Sequence, residues 1–276
     1  MTPAAEAAGI FGPGSASWRI DREVIVLAGG SCALLMQAAH PVVAAGVADH
    51  STYATDPFGR LLRTLGTSYD VVFGSGSTAD AAIRRVNAIH AAITGRLPDS
   101  GAPYAALDPE ALLWVHATLV DTALRVYGRF VAPLTPDDEQ AYHVECGRVA
   151  QLLGVPSGDL PATIAELREW MARMVASGRV RVTPQARDIS RTVLYPSRFP
   201  PRLAWDAAHL VSMAVLPATL RRQYGIRWSA RRERGMERIA RASRRVMPWV
   251  PAPLRHVPQA RAADRRVRQA AGASSR

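Results

Sequence analysis

Four of the seven histidines in this 276-residue chain, His40, His50, His90 and His116, fall between positions 40 and 116 among apolar neighbours at helical spacing. The same stretch carries Arg60, Arg63 and Arg85. Imidazole is the commonest protein ligand for metals, and guanidinium groups pair with carboxylates. Histidines beside arginines in an apolar background therefore suit a metal, or a haem whose propionates are anionic. His90 is the best-placed ligand, because it shares a helical stripe with Ile83, Val86 and Ile93 at the i, i+3, i+7, i+10 spacing. His116 lines up with Leu113, Val120 and Tyr127 and is the next candidate. Arg60 and Thr64 stand one turn apart and should project the same way. A single histidine on an apolar face is more often a core residue held by one hydrogen bond, so the residues alone leave both readings open.

Other chemistries find little support. There is no His-Glu-x-x-His and no cysteine pair for zinc, and no Glu-x-x-His pairs for a di-iron bundle. No Gly-x-Ser-x-Gly elbow follows a strand, and Gly74-Ser75-Gly76-Ser77 reads as a helix boundary. Cys32 and Cys146 match no metal or haem-attachment spacing and read as buried free thiols of a reducing compartment.

The elements that must position these residues are helical. Asp21 to Ala39 reads as a buried helix, and Pro41 opens a second, short one. Pro57 to Thr67 carries the arginine cluster. A capping box at Ser77-Thr78-Ala79-Asp80 starts the helix of His90. Gly95 to Pro103 reads as a loop, and Asp108-Pro109 starts a long helix through Phe130. Thr135-Pro136 opens another that ends at Gly154-Val155-Pro156. Pro161 to Ser177, Pro184 to Leu194 and Leu203 to Arg222 follow. No alternating strand pattern of useful length occurs. The expected fold is all-α, a single globular domain of eight to ten helices around a buried haem pocket, spanning residues 18–226. Residues 1–17 read as a flexible arm.

The formal charge of +11 is uneven: positions 221 to 276 hold 16 arginines against Glu233, Glu237 and Asp264, while the remaining 220 residues carry −2. The chain has no lysine. A short basic helix from about Arg231 to Val246, followed by a Pro/Ala/Arg-rich stretch, reads as a largely disordered tail over 227–276. Such a tail suits nonspecific contact with polyanions or anionic membranes. It raises a rival class, an all-α TetR-like nucleic-acid-binding regulator, but it has no helix-turn-helix pattern and few aromatics. Val24 to Ala48 is nearly free of charge and long enough to span a bilayer. Its glycines, Gln37, His40 and Pro41 favour a buried helix pair instead. No export signal is read, so a cytoplasmic location with peripheral membrane association is expected.

Several runs carry a resemblance. They are Gln37-Ala-Ala-His40-Pro41 through Gly46 to His50-Ser51, then Asp56-Pro57, Arg60-Leu-Leu-Arg-Thr64 and Val72-Phe73-Gly74. Ile89-His90-Ala91, Tyr104-Ala-Ala-Leu-Asp108-Pro109, Trp114-Val-His116 through Asp121, and Leu153-Gly154-Val155-Pro156 complete the set. Over residues 20 to 220 this order resembles the catalytic domain shared by rubber oxygenase (latex-clearing protein) and MpaB-type oxygenases. The resemblance implies an all-α protein holding haem b non-covalently through one histidine and using dioxygen on apolar, olefinic chains. It makes His90 the iron ligand and sets Arg60 and Thr64 on the distal helix. Arg63 stands where latex-clearing proteins can have a lysine, and an arginine stays protonated. Ala44 stands near the place of their carboxylate base, a departure that points away from rubber itself.

The resulting expectation is a haem b-dependent oxygenase or peroxidase-like oxidoreductase acting with dioxygen or peroxide on a small apolar substrate. Its catalytic groups would be Arg60, Thr64, His50 and His40, and its haem would be held by His90, Arg63, Arg85 and His116. A haem carrier without turnover is the remaining alternative.

Overall fold

A computed structural model of the chain describes residues 3–197 and 201–274. Proline and a capping side chain set most helix starts, as the sequence pattern requires. Helices α1 (Pro3–Ala8) and α2 (Ala16–Asp21) precede a 3₁₀ segment, Val24–Gly29. Next come α3 (Gly30–Ala38), α4 (Pro41–His50), α5 (Pro57–Phe73) and α6 (Gly76–Ala91). A small antiparallel hairpin, β1 (Thr94–Arg96) and β2 (Pro103–Ala105), pairs Gly95 with Tyr104. The central helices are α7 (Pro109–Phe130), α8 (Pro136–Leu152), α9 (Ile164–Ala176) and α10 (Pro184–Leu194). Then follow α11 (Arg202–Ala208), α12 (Leu210–Val215), α13 (Ala218–Gln223), α14 (Ala230–Val246), α15 (Ala252–Arg255) and α16 (Pro258–Ser274). The all-α expectation holds, with more and shorter helices than the pattern suggested and a hairpin where a loop was read.

Helix α7 is the spine of the fold. It buries Trp114, Ala117, Val120, Leu124, Val126 and Phe130 against α3, α8, α9, α12 and α14. The Trp114 indole donates to the Met36 carbonyl at 2.8 Å, which ties α3 to the spine without an unsatisfied donor. Gly29 makes the close approach possible: a Cβ there would lie 2.7 Å from Thr122 Cγ2 and 2.8 Å from Val126 Cγ2. The single helix expected over Asp21–Ala39 is accordingly two pieces, and α3 and α4 meet at a bend of 104° at Pro41. Among the described residues no single helix is long and apolar enough to cross a membrane.

Both chain ends depart from expectation. The flexible arm expected over residues 1–17 contains α1, and its Ser15 caps α2 by accepting from the Trp18 amide. The short basic helix expected over about Arg231 to Val246 is α14, but the stretch after it, expected to be disordered, is also helical and packed. Met236 and Ala240 join the main core, while Val257, Ala260 and Ala263 pack with Trp18 and Phe73 in a second cluster. Arg255 binds the buried Glu23 at 2.8 Å, and Arg22 binds Asp264. Composition misleads here because thin apolar stripes suffice when a preformed surface supplies the partner.

Candidate functional site

Helices α5 and α6 form an antiparallel hairpin that turns at Gly74-Ser75. Asp56 caps α5 by accepting from the Gly59 amide, and Ser75, two residues upstream of the expected box, caps α6 by accepting from the Thr78 amide. Arg85 on α6 reaches back to Thr67 Oγ1 at 3.3 Å and to Asp70 at 3.5 Å on α5. Arg60 precedes the turn, and His90 follows it, by nearly the same number of residues. At 1.5 Å of rise per residue both lie roughly 20 Å from the turn, at the open end of the hairpin.

The half-buried Arg60 side chain lines a narrow cleft with about 10 Å³ of free space, whose walls are Leu34 and Ala38 of α3, Val43 and Val47 of α4, and Ile189 and Val193 of α10. Gln37 completes it and donates to Thr118 Oγ1 on α7 at 3.2 Å. Burial lowers the Arg60 pKa, yet no carboxylate pairs with the guanidinium among the described residues. A guanidinium stays charged in such a place. The cleft therefore presents one unpaired cation among apolar walls.

His90 is the penultimate residue of α6. Its ring is half-buried, its Nδ1 is buried without a hydrogen-bond partner, and burial lowers its pKa. A neutral imidazole with an unengaged nitrogen is the form that ligates a metal. His40, His116 and His143 likewise each have a buried ring nitrogen without a partner.

The other expected site residues lie outside the cleft. His116 lies on the spine beside His143, and burial, reinforced by that neighbour, depresses its pKa to about 4. Its Nε2 is buried and unpartnered, which gives a second neutral ring in the interior. His40 caps α4 at 4% exposure, and burial lowers its pKa to about 4. Its 3.6 Å contact with Glu110 is consequently no ion pair at neutral pH, and Glu110 pairs with Arg179 at 2.7 Å. His50 is exposed with Nε2 at 3.0 Å from the Thr94 carbonyl. Arg63 is exposed and donates to Asp56 and to Thr52 Oγ1, both at 3.0 Å. Thr64 is exposed, and its hydroxyl donates to the Arg60 carbonyl at 2.9 Å, so the pairing expected for the two side chains is not made. Arg63, Thr64 and Arg85 face solvent and sit outside the cleft.

Among the described residues no group of three or more His, Cys, Asp or Glu side chains can hold a metal ion. Isolated imidazoles of this kind can each donate to an iron held mostly by a macrocycle but make no cage for a bare ion. Sequence reasoning missed the α10 wall of the cleft, since Ile189 and Val193 lie more than a hundred residues beyond Arg60 and carry no motif. It quoted Gln37 without giving it a role.

The chain is thus an all-α domain built on a buried central helix, with a cation in an apolar cleft and a neutral histidine at the open end of one hairpin. The family described as "ER-bound oxygenase mpaB/B'/Rubber oxygenase, catalytic domain" matches residues 18–245, and the chain belongs to it. No curated protein and no solved structure matches the chain. The family covers α14 as well as the body, so its domain extends past residue 226, where the sequence pattern had ended it.

Proposed function

We propose that this oxygenase domain binds haem b through His90 and acts with dioxygen on a small apolar, olefinic substrate. The observation that carries the reading is the half-buried, neutral His90 ring with an unpartnered Nδ1 at the open end of the α5–α6 hairpin. Arg60 supports it as an unpaired cation facing apolar walls. Bound haem supplies redox chemistry with dioxygen that no protein side chain can perform. The chain's own residues have simpler tasks. His90 donates a nitrogen lone pair, and Arg60 holds a hydrogen-bond donor in a space that Leu34, Val43, Val47 and Val193 keep dry. Those walls favour an apolar molecule over a charged one.

The free space in the cleft, about 10 Å³, holds at most one water and is far below an ordinary ligand site of roughly 300–1,000 Å³. Loading with haem therefore needs the hairpin to move away from α3 and α10. The test is reconstitution of the purified full-length chain with haemin, followed by absorption spectroscopy and far-UV circular dichroism. A Soret band is expected with the unaltered chain and with His116→Ala. His90→Ala should lose the band while keeping its helical signal. A normal Soret band in His90→Ala overturns the assignment of His90, and no band in the unaltered chain overturns the haem. Arg60→Ala is expected to keep the haem and to slow dioxygen consumption. A haem-loaded chain that never consumes dioxygen with apolar substrates would be a carrier.

A further inference from the structure

Helix α14 has two unlike faces. Its inner face is fastened to the spine: Glu233 and Glu237 both bind Arg129, at 2.5 and 2.7 Å, and the Ser243 hydroxyl donates to the Phe130 carbonyl. Met236 and Ala240 are buried on the same side. Both carboxylates of the helix are thereby turned inward. The outer face carries Arg231, Arg234, Arg238, Arg241 and Arg245 at alternating spacings of three and four, a single stripe along the helix. All five are exposed, and none has an ion pair among the described residues.

A second exposed stripe runs beside the first. Ile239, Ala242 and Val246 follow each other at helical spacing, and the chain continues to Trp249 and Leu254, which are 85% and 74% exposed. What sets this face apart from scattered exposed residues such as Leu203 is that its apolar side chains follow one another along one helix and the turn after it. No residue of this face belongs to the cleft or to the His90 helix.

We infer that the outer face of α14, with Trp249 and Leu254, is a docking surface for an anionic lipid bilayer. Charge complementarity selects the sign of the partner, because five unpaired guanidinium groups meet no carboxylate on that face. The apolar stripe selects its kind. A helix seated in the headgroup layer places arginines at the phosphates and aliphatic or indole side chains at the acyl boundary. A nucleic-acid backbone uses the cations and leaves Ile239, Val246 and Leu254 in water. The packed inner face means that the surface is already formed in the folded chain and needs no folding on contact.

The experiment is sedimentation of the full-length chain with vesicles of phosphatidylcholine alone, or with roughly one third phosphatidylserine, across a salt series. Binding is expected only to the anionic vesicles, falling with salt. Replacing the five stripe arginines by glutamine should weaken it by at least about a hundredfold, because each basic residue near such a surface contributes roughly fivefold. Trp249→Ala with Leu254→Ala should weaken it about tenfold and leave the salt slope unchanged. Far-UV circular dichroism checks that both variants fold, and the second leaves the charge intact. Absence of binding to anionic vesicles overturns the proposal. So does duplex DNA or RNA bound more tightly than vesicles, with no effect of the Trp249 and Leu254 changes.

Discussion

The spine and the α5–α6 hairpin are both helical, yet they differ in how their most buried charges are held. Around α7 the charges are paired. Asp121, 2% exposed, accepts from Arg125 and from Arg168, and Arg168 also grips Glu139 at 2.7 Å. Arg129 is held by two glutamates of α14. On the hairpin, by contrast, Arg60 and His90 keep unengaged groups, while Phe58, Leu61, Leu62 and Ile89 stand in solvent. The spine has buried polar atoms of its own without partners, His116 Nε2 and Arg129 Nε, but its charges are paired, whereas the hairpin leaves the Arg60 guanidinium unpaired and several large apolar side chains exposed. Sites that must bind and react are drawn from such regions.

Removing residues 229–276 should break this contrast most severely. The deletion takes Met236 and Ala240 from the core and leaves Arg129 and the buried Glu23 without their partners. Stranding one partner of a buried pair costs about 3–5 kcal/mol, which approaches the whole stability of a domain. Loss of a cooperative thermal transition is expected, and an unchanged melting temperature would show that α14 to α16 merely rest on the body. Trp114→Ala comes next at about 3–5 kcal/mol, from the cavity and from the lost bond to Met36. A melting temperature lower by roughly ten degrees is the readout.

Acidity sharpens the same comparison. His40 and His116 titrate near 4 in the fold against an ordinary value of 6.5. Their folded pKa values are depressed, so an unfolded chain takes up protons first as the pH falls. Stability from these two rings is complete above about 6.5 and is lost as the pH drops toward 4. Asp21 opposes them: burial raises its carboxyl to about 7, so its contribution is lost as the pH rises toward that value. Two histidines against one carboxyl leave a net loss on acidification, on the order of a few kcal/mol. Denaturant melts at pH 7 and pH 5 should show it, and His116→Phe should flatten the difference. Equal stability at both values would mean that the rings are protonated where they stand. The smallest effects belong to the hairpin surface. Leu62→Ala and Arg63→Ala should each shift stability by less than about 1 kcal/mol, since Leu62 is 69% exposed and the Arg63–Asp56 pair is solvated.

Local chemistry made much of the fold legible in advance. Asp108-Pro109 and Thr135-Pro136 start α7 and α8 where read, because a capping oxygen and a proline at the first helical position act within one turn. The stripe of Ile83, Val86 and His90 likewise placed His90 on a half-buried helix face before any packing was known. The order of motifs also pointed to the oxygenase family that matches residues 18–245.

What the sequence by itself determined, then, is the helical class, the main helix starts and the family. Only the tertiary structure decided which polar groups remain unengaged. Arg60 and Arg63 are three residues apart and indistinguishable by type, yet one faces the cleft and the other binds Asp56. The fate of the basic C-terminal segment was also a tertiary matter: its arginines look like solvated charge until Glu23, Arg129 and the Trp18–Phe73 surface give α14 to α16 a place to pack. Spacing along a chain fixes which face a residue occupies, but its partners can come from far along it, as Ile189 and Val193 do for Arg60. Partners, not spacing, decide whether a charge is held or left free to act.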